Sequence, residues 1–204
     1  MFGAFTRYAW LWWVLLAAPV WGAQPVILVW GDSLSAGYGL PQGTGWVDLL
    51  QQKLATEKRN YRIVNGSISG ETTLGGRNRL DAALRAHQPR VVIIGLGAND
   101  GLRGQSIESM GDNLGAMTRS AQAAGARVLL IGMRMPPNYG PQYTQKFHTA
   151  FAEVAKAWKV PLVPFLLEGF AGQRDMFQSD GIHPTQAAQP LMLDTVWRKL
   201  APLL

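Results

Sequence analysis

Five short apolar runs, most of them rich in β-branched residues, punctuate this chain, and most are followed by stretches whose apolar positions recur every three or four residues. Val26-Ile27-Leu28-Val29-Trp30 is uninterrupted, as expected of a strand covered on both faces. Tyr61-Arg62-Ile63-Val64, Val91-Val92-Ile93-Ile94, Val128-Leu129-Leu130-Ile131 and a short strand near Leu162-Val163 follow. Between them, Trp46, Leu49, Leu50 and Leu54 recur at helical spacing, and Leu80, Ala83, Leu84 and His87 form a second stripe. A further helix falls within 106–124, and Phe147, Phe151, Val154 and Trp158 mark another. A last helix runs toward Leu200, with Pro190 either in its first turn or kinking it. Strands alternating with helices imply a parallel sheet with helices on both faces and right-handed crossovers. The expected fold is an α/β, three-layer α/β/α sandwich on a flavodoxin-like five-stranded parallel sheet of order 2-1-3-4-5. In such a sheet the ligand crevice opens beyond the carboxyl ends of the strands, where the order reverses. Here that lies between the first and third strands, and directs attention to the residues from Gly31 and from Gly95 onward.

The leading segment follows other rules. Arg7 precedes a charge-free apolar run from Tyr8 to Ala18, and the small residues Gly22 and Ala23 come just before Gln24. A basic start, an apolar middle and a small-residue end describe a signal peptide over 1–23, leaving a single domain over 24–204. The run is short for a bilayer span, which needs about 20 apolar residues. Cleavage after Ala23 puts bulky Trp21 three residues back; cleavage after Gly22 puts Val20 there, and an uncleaved anchor is the alternative. This pattern makes export the expectation. The chain contains no Cys, so a thiol nucleophile is excluded and the domain is held by its core. Net charge is +6, of which Arg7 supplies one. No block of consecutive Lys and Arg suggests nucleic acid; transient contact with membrane lipid is the surface partner the charge allows. A monomer is expected.

Polar residues gather where the strands end. Gly31-Asp32-Ser33-Leu34-Ser35 follows the first strand, Asn65-Gly66-Ser67-Ile68-Ser69-Gly70 the second and Gly97-Ala98-Asn99-Asp100 the third; Asp180-Gly181-Ile182-His183-Pro184 lies near the C-terminus. A serine hydroxyl needs a base within hydrogen-bond reach. Of the three histidines, His87 lies on an apolar stripe at a helix end and His148 beside Phe147 on a helix, where a surface position is expected. His183 stands in a turn-rich loop three positions after Asp180, a spacing that lets the carboxylate orient the imidazole toward Ser33. Asp32 is a rival acid, but its adjacency to Ser33 suits it better to bracing the turn. A developing oxyanion needs donors: the nucleophile's own N–H, the N–H of Gly70 and the side-chain amide of Asn99 are candidates. Without the other motifs, Asn99 would read better as a turn residue. No H-E-x-x-H or carboxylate–His cluster suggests metal, and Gly95-Leu96-Gly97 is too little for a dinucleotide fingerprint.

These four blocks, in this order, resemble those of the GDSL (SGNH) hydrolases, and the likeness covers nearly the whole chain after the leader. The strings Gly31–Tyr38, Asn99–Gly104, Pro137-Asn138-Tyr139-Gly140 and Asp180–Pro184 look like the exported bacterial TesA-type group of that family, described as acyl-CoA thioesterase I, lysophospholipase and arylesterase. The resemblance implies catalysis by Ser33, Asp180 and His183, with Gly70 and Asn99 on the oxyanion, no cofactor, and a small-molecule acyl ester or thioester as substrate. Ala98 departs from the Gly expected there, so acyl-chain preference does not carry over. A carbohydrate O-acetylesterase uses the same fold and triad, and a non-catalytic lipid-binding protein is the remaining alternative. Leu74, Leu102, Met133, Met135, Pro136 and Tyr139, in or near the expected loops, favour acyl chains over sugars.

Overall fold

In the computed structural model, which describes residues 24–204, β1 (Val26–Gly31) is buried at every position. The leader expected over 1–23 lies outside the described residues. β2 (Arg62–Asn65), β3 (Val91–Gly95), β4 (Arg127–Ile131) and β5 (Leu162–Val163) complete one parallel sheet in the order β2-β1-β3-β4-β5. This is the order expected from the repeated strand–helix units. β2 is half-exposed, as an edge strand can be, and its Arg62 and Asn65 reach solvent.

The two faces of the sheet separate by residue parity, since successive strand side chains point to opposite sides. Leu28, Trp30, Val92, Ile94, Val128 and Leu130 pack beneath α3 (Thr73–His87), α5 (Ile107–Ala123) and α6 (Pro141–Trp158). Ile27, Val29, Val91, Ile93, Leu129 and Ile131 face α2 (Trp46–Thr56) and α7 (Gln189–Leu200). Each helix presents the apolar stripe read from the sequence: Trp46, Leu50 and Leu54 in α2, and Phe147, Phe151 and Val154 in α6 are all buried. Pro190 occupies the first turn of α7, where its missing N–H costs no helical bond.

Two very short helices escape any periodic signal. α1 (Ser33–Ala36) follows β1 after a single residue, and α4 (Ala98–Leu102) follows β3. The last register pair of β1 and β3 is Gly31 with Gly95, so both helices leave the sheet side by side at the switch point.

Candidate active site

Ser33 owes its position to the residue before it. Asp32 caps α1, its Oδ1 accepting the N–H of Leu34 at 3.0 Å, and so makes Ser33 the first helical residue. Asp32 therefore braces the turn, as its adjacency to Ser33 suggested. Its side chain is almost wholly enclosed, and this desolvation pushes the carboxyl up to about 6 against the opposing pull of the Leu34 N–H.

The histidine loop is a rigid turn built from local polar bonds. Asp180 Oδ1 accepts the backbone N–H groups of Ile182 (2.9 Å) and His183 (3.0 Å), and Oδ2 accepts from His183 Nδ1 at 2.7 Å. These bonds, led by the His183 N–H, hold the Asp180 carboxyl down at about 2. Arg174 donates to the carbonyls of Phe177, Gln178 and Ser179, clasping the turn from outside. Gln178 ties it to the β1 side of the sheet through the Tyr38 carbonyl (2.9 Å), and the Tyr38 ring packs 4.5 Å from the His183 ring. His183 Nε2 then lies 2.9 Å from Ser33 Oγ. A residue 150 positions away in sequence is brought onto the nucleophile candidate.

The third side comes from the loops after β2 and β3. Gly70 has φ +79°, a left-handed conformation suited to glycine, and its carbonyl accepts from Arg103 at 2.9 Å. The Asn99 Nδ2 group donates to the Glu71 carbonyl at 3.0 Å and lies 3.4 Å from Asp32 Oδ2. Among the described residues, no acceptor pairs with the backbone N–H of Ser33 or of Gly70. All five residues expected in the site thus stand at the switch point: Ser33, His183 and Asp180 in one hydrogen-bonded line, and Gly70 and Asn99 joined through Glu71. His87 ends α3 just before β3, at the amino ends of the strands and away from the site, and His148 differs from its expected surface position. It is half-buried, with Nδ1 enclosed and without a partner among the described residues.

A family model described as GDSL-like Lipase/Acylhydrolase matches residues 29–190. The chain belongs to this family. This GDSL hydrolase is 51% identical over 182 residues to Esterase TesA of Pseudomonas aeruginosa, covering 89% of the chain and 90% of the relative. It is 40% identical over 181 residues to the Thioesterase 1/protease 1/lysophospholipase L1 of Escherichia coli strain K12, covering 89% and 86%. A crystal structure of TesA superposes with a TM-score of 0.86 at 51% identity, over 88% of this chain and 99% of that one.

Six residues that support the GDSL hydrolase site had no assigned part in the sequence reading. Asp100, buried beside Asn99, accepts the N–H of Thr73 at 2.9 Å and the Thr73 hydroxyl, and so locks α4 to the first turn of α3. Asn113 of α5 donates to the same hydroxyl at 3.2 Å. Thr72-Thr73, a helix-start pair, was the legible signal for this junction. Trp30, Glu71 and Arg79 form a second brace, for which spacing offered no signal. Met135, expected among the apolar loop residues, turns inward beneath α4; a Cβ at Gly101 would stand 2.6 Å from its sulfur.

Proposed function

We propose that this GDSL hydrolase cleaves carboxylic esters and thioesters by two-step acyl transfer, with Ser33 as nucleophile, His183 as base and Asp180 as the carboxylate that orients it. The observation that carries this reading is the unbroken line Asp180 Oδ2–His183–Ser33 Oγ, with contacts of 2.7 and 2.9 Å. The ionised Asp180 selects the tautomer with its proton on Nδ1, which leaves Nε2 to accept from the serine hydroxyl. As Oγ bonds to the carbonyl carbon, its proton passes to Nε2, and the imidazolium stabilised by Asp180 returns that proton to the departing alcohol or thiol. Water then loses a proton to Nε2 and attacks the acyl carbon, and the imidazolium returns that proton to Oγ as Ser33 is released. The tetrahedral oxyanion takes hydrogen bonds from the N–H groups of Ser33 and Gly70 and from Asn99 Nδ2, the weakly engaged Asp32 contact being the one displaced.

The names of the relatives, esterase and thioesterase/lysophospholipase, support acyl esters and thioesters as the substrate class, with aryl esters, lysophospholipids and acyl-CoA as members. Tyr38, Ile68 and Ile182 in the loops, Leu74 in the first turn of α3 and Tyr139 in a short 3-10 turn are exposed large apolar side chains, which favours acyl chains over sugar acetates. The proposed setting is the periplasm or beyond, with a monomer meeting lipid only in passing.

Covalent labelling by a fluorophosphonate tests the nucleophile: the parent protein is expected to label and Ser33→Ala to stay blank. Labelling that survives the change removes Ser33 from the mechanism. Turnover of p-nitrophenyl esters from acetate to long chains tests the substrate class, and activity confined to acetate points to the sugar-deacetylase alternative.

A further inference from the structure

Trp30 is the penultimate residue of β1, three positions before Ser33, and it is built into an unusual support. Its ring is buried. The Arg79 guanidinium lies over it at 3.6 Å from the centroid, and its Nε1 donates to the Gly76 carbonyl at 3.0 Å. The Gly66 backbone presses on it so closely that a Cβ there would stand 2.6 Å from Cζ3. Arg79, flattened on the ring, donates through Nε to Glu71 Oε2 at 2.6 Å, and Glu71 in turn rests on Gly75, where a Cβ would meet its Oε1 at 2.0 Å. The Glu71 carbonyl is the acceptor that holds Asn99 Nδ2. A single line of contacts therefore runs from the nucleophile strand through a ring, a guanidinium and a carboxylate to the amide proposed to receive the oxyanion.

We infer that Arg79 is a positioning residue for this reaction: stacked on Trp30 and paired with Glu71, it holds the Glu71 carbonyl where it fixes the orientation of the Asn99 amide. The inference rests on the oxyanion role of Asn99 proposed above. Rotation of a terminal amide is intrinsically soft, so a fixed acceptor is what gives Asn99 a direction. The competing acceptor is close: Asp32 Oδ2 stands 3.4 Å from the same nitrogen. If the Glu71 carbonyl drifts, the amide turns toward the Asp32 carboxylate and no longer aims an N–H at the substrate. A planar guanidinium suits the task because it stacks on a ring face and donates in its own plane at once, which an ammonium does less well.

The test is a double-mutant cycle on a chromogenic ester, with kcat, KM and Tm measured for every variant. Asn99→Ala alone is expected to lower kcat by about 10² to 10³. Arg79→Met alone is expected to lower kcat by about tenfold with KM within about twofold, since a small misplacement of a reacting group is felt mainly in the chemical step. Arg79→Lys, which keeps the charge facing Glu71, is expected to recover part of that loss. In the Asn99→Ala background, Arg79→Met is expected to change kcat by less than about twofold, because residues acting through one group are non-additive. Glu71→Gln serves the same cycle should Arg79→Met not fold. A kcat loss from Arg79→Met that is equally large with and without Asn99 overturns the positioning role, as does a lowered Tm with unchanged kcat. An Asn99→Ala variant with full turnover instead overturns the oxyanion reading itself.

Discussion

Asp32 shows how much one side chain can do without touching substrate. It starts α1, it faces Asn99, and it does both from a site that water hardly reaches. Burial raises its carboxyl from 3.8 to about 6, so between those values the folded protein binds the proton more tightly than the unfolded chain does. Stability from this group is thus fully present below about pH 4 and is lost as pH rises through about 6, on the order of 3 kcal/mol in all. Asp32→Asn removes the titration. Unfolding free energies of parent and variant, compared between pH 4 and 7, are expected to shift in the variant's favour as pH rises. A difference that stays flat across that range means Asp32 does not titrate there. At this scale the sequence was most legible where polar residues followed a strand end. Ser33, Gly70 and Asn99 stood in such strings and Asp180 and His183 in a turn-rich loop, whereas Arg79 on a helix and Trp30 in an apolar run looked like ordinary surface and core.

The loop from Gly66 to Thr72 is the element on which the oxyanion side depends. It runs from the end of β2 to the cap of α3, pinned by Ile68 N–H to the Gly31 carbonyl at 3.0 Å and by the Ser67 hydroxyl, which accepts the Gly31 N–H at 3.1 Å. Gly70 alone in this stretch has a left-handed φ, and the space beside it is open except for the Arg103 guanidinium at 3.6 Å from a would-be Cβ. Gly70→Ala therefore strains the backbone without a clash. The expected cost is about 1 kcal/mol of stability, read as a lowered midpoint in urea, together with a fall in kcat as the Gly70 N–H shifts. Retained kcat with lowered stability would mean that this N–H takes no part. Of the helices, the long ones were readable because eleven or more residues give periodicity room to appear. α1 and α4, of four and five residues, span barely one turn, so their helicity depends on capping and tertiary packing and leaves no periodic stripe.

For the molecule as a whole, the two layers of helices carry different responsibilities. Phe147, fully buried in α6 and edge-to-face with Phe151 at 5.3 Å, forms the floor of α4: a Cβ at Gly101 would lie 2.6 Å from its ring. Leu54, equally buried in α2, supports only the opposite face of the sheet. Both truncations to Ala should destabilise, by about 3–5 kcal/mol for Phe147 and about 2–5 for Leu54. Only Phe147→Ala is expected to lower kcat at a temperature where both variants remain folded; equal kcat in the two would separate α4 from the core beneath it. A groove of about 950 Å³ between α5 and α6 is lined by none of Ser33, Gly70, Asn99 or His183, so the site lies apart from this concavity. Topology was legible because each apolar run was bounded by turn residues and followed by a helical stripe. The packing of Phe147 under Gly101 was not, since it joins residues 46 apart that no local pattern relates.

The span between Ser33 and His183 also sets when the protein can first react. The chain must be made as far as residue 183 of its 204 before the imidazole can meet the hydroxyl. A partly synthesised chain carries the serine but not its base, a partly folded one holds the two apart, and both stay chemically silent. Acylation by an activated ester is then a clock for the completion of folding: the moment the chain first labels is the moment its last loop has closed on its first.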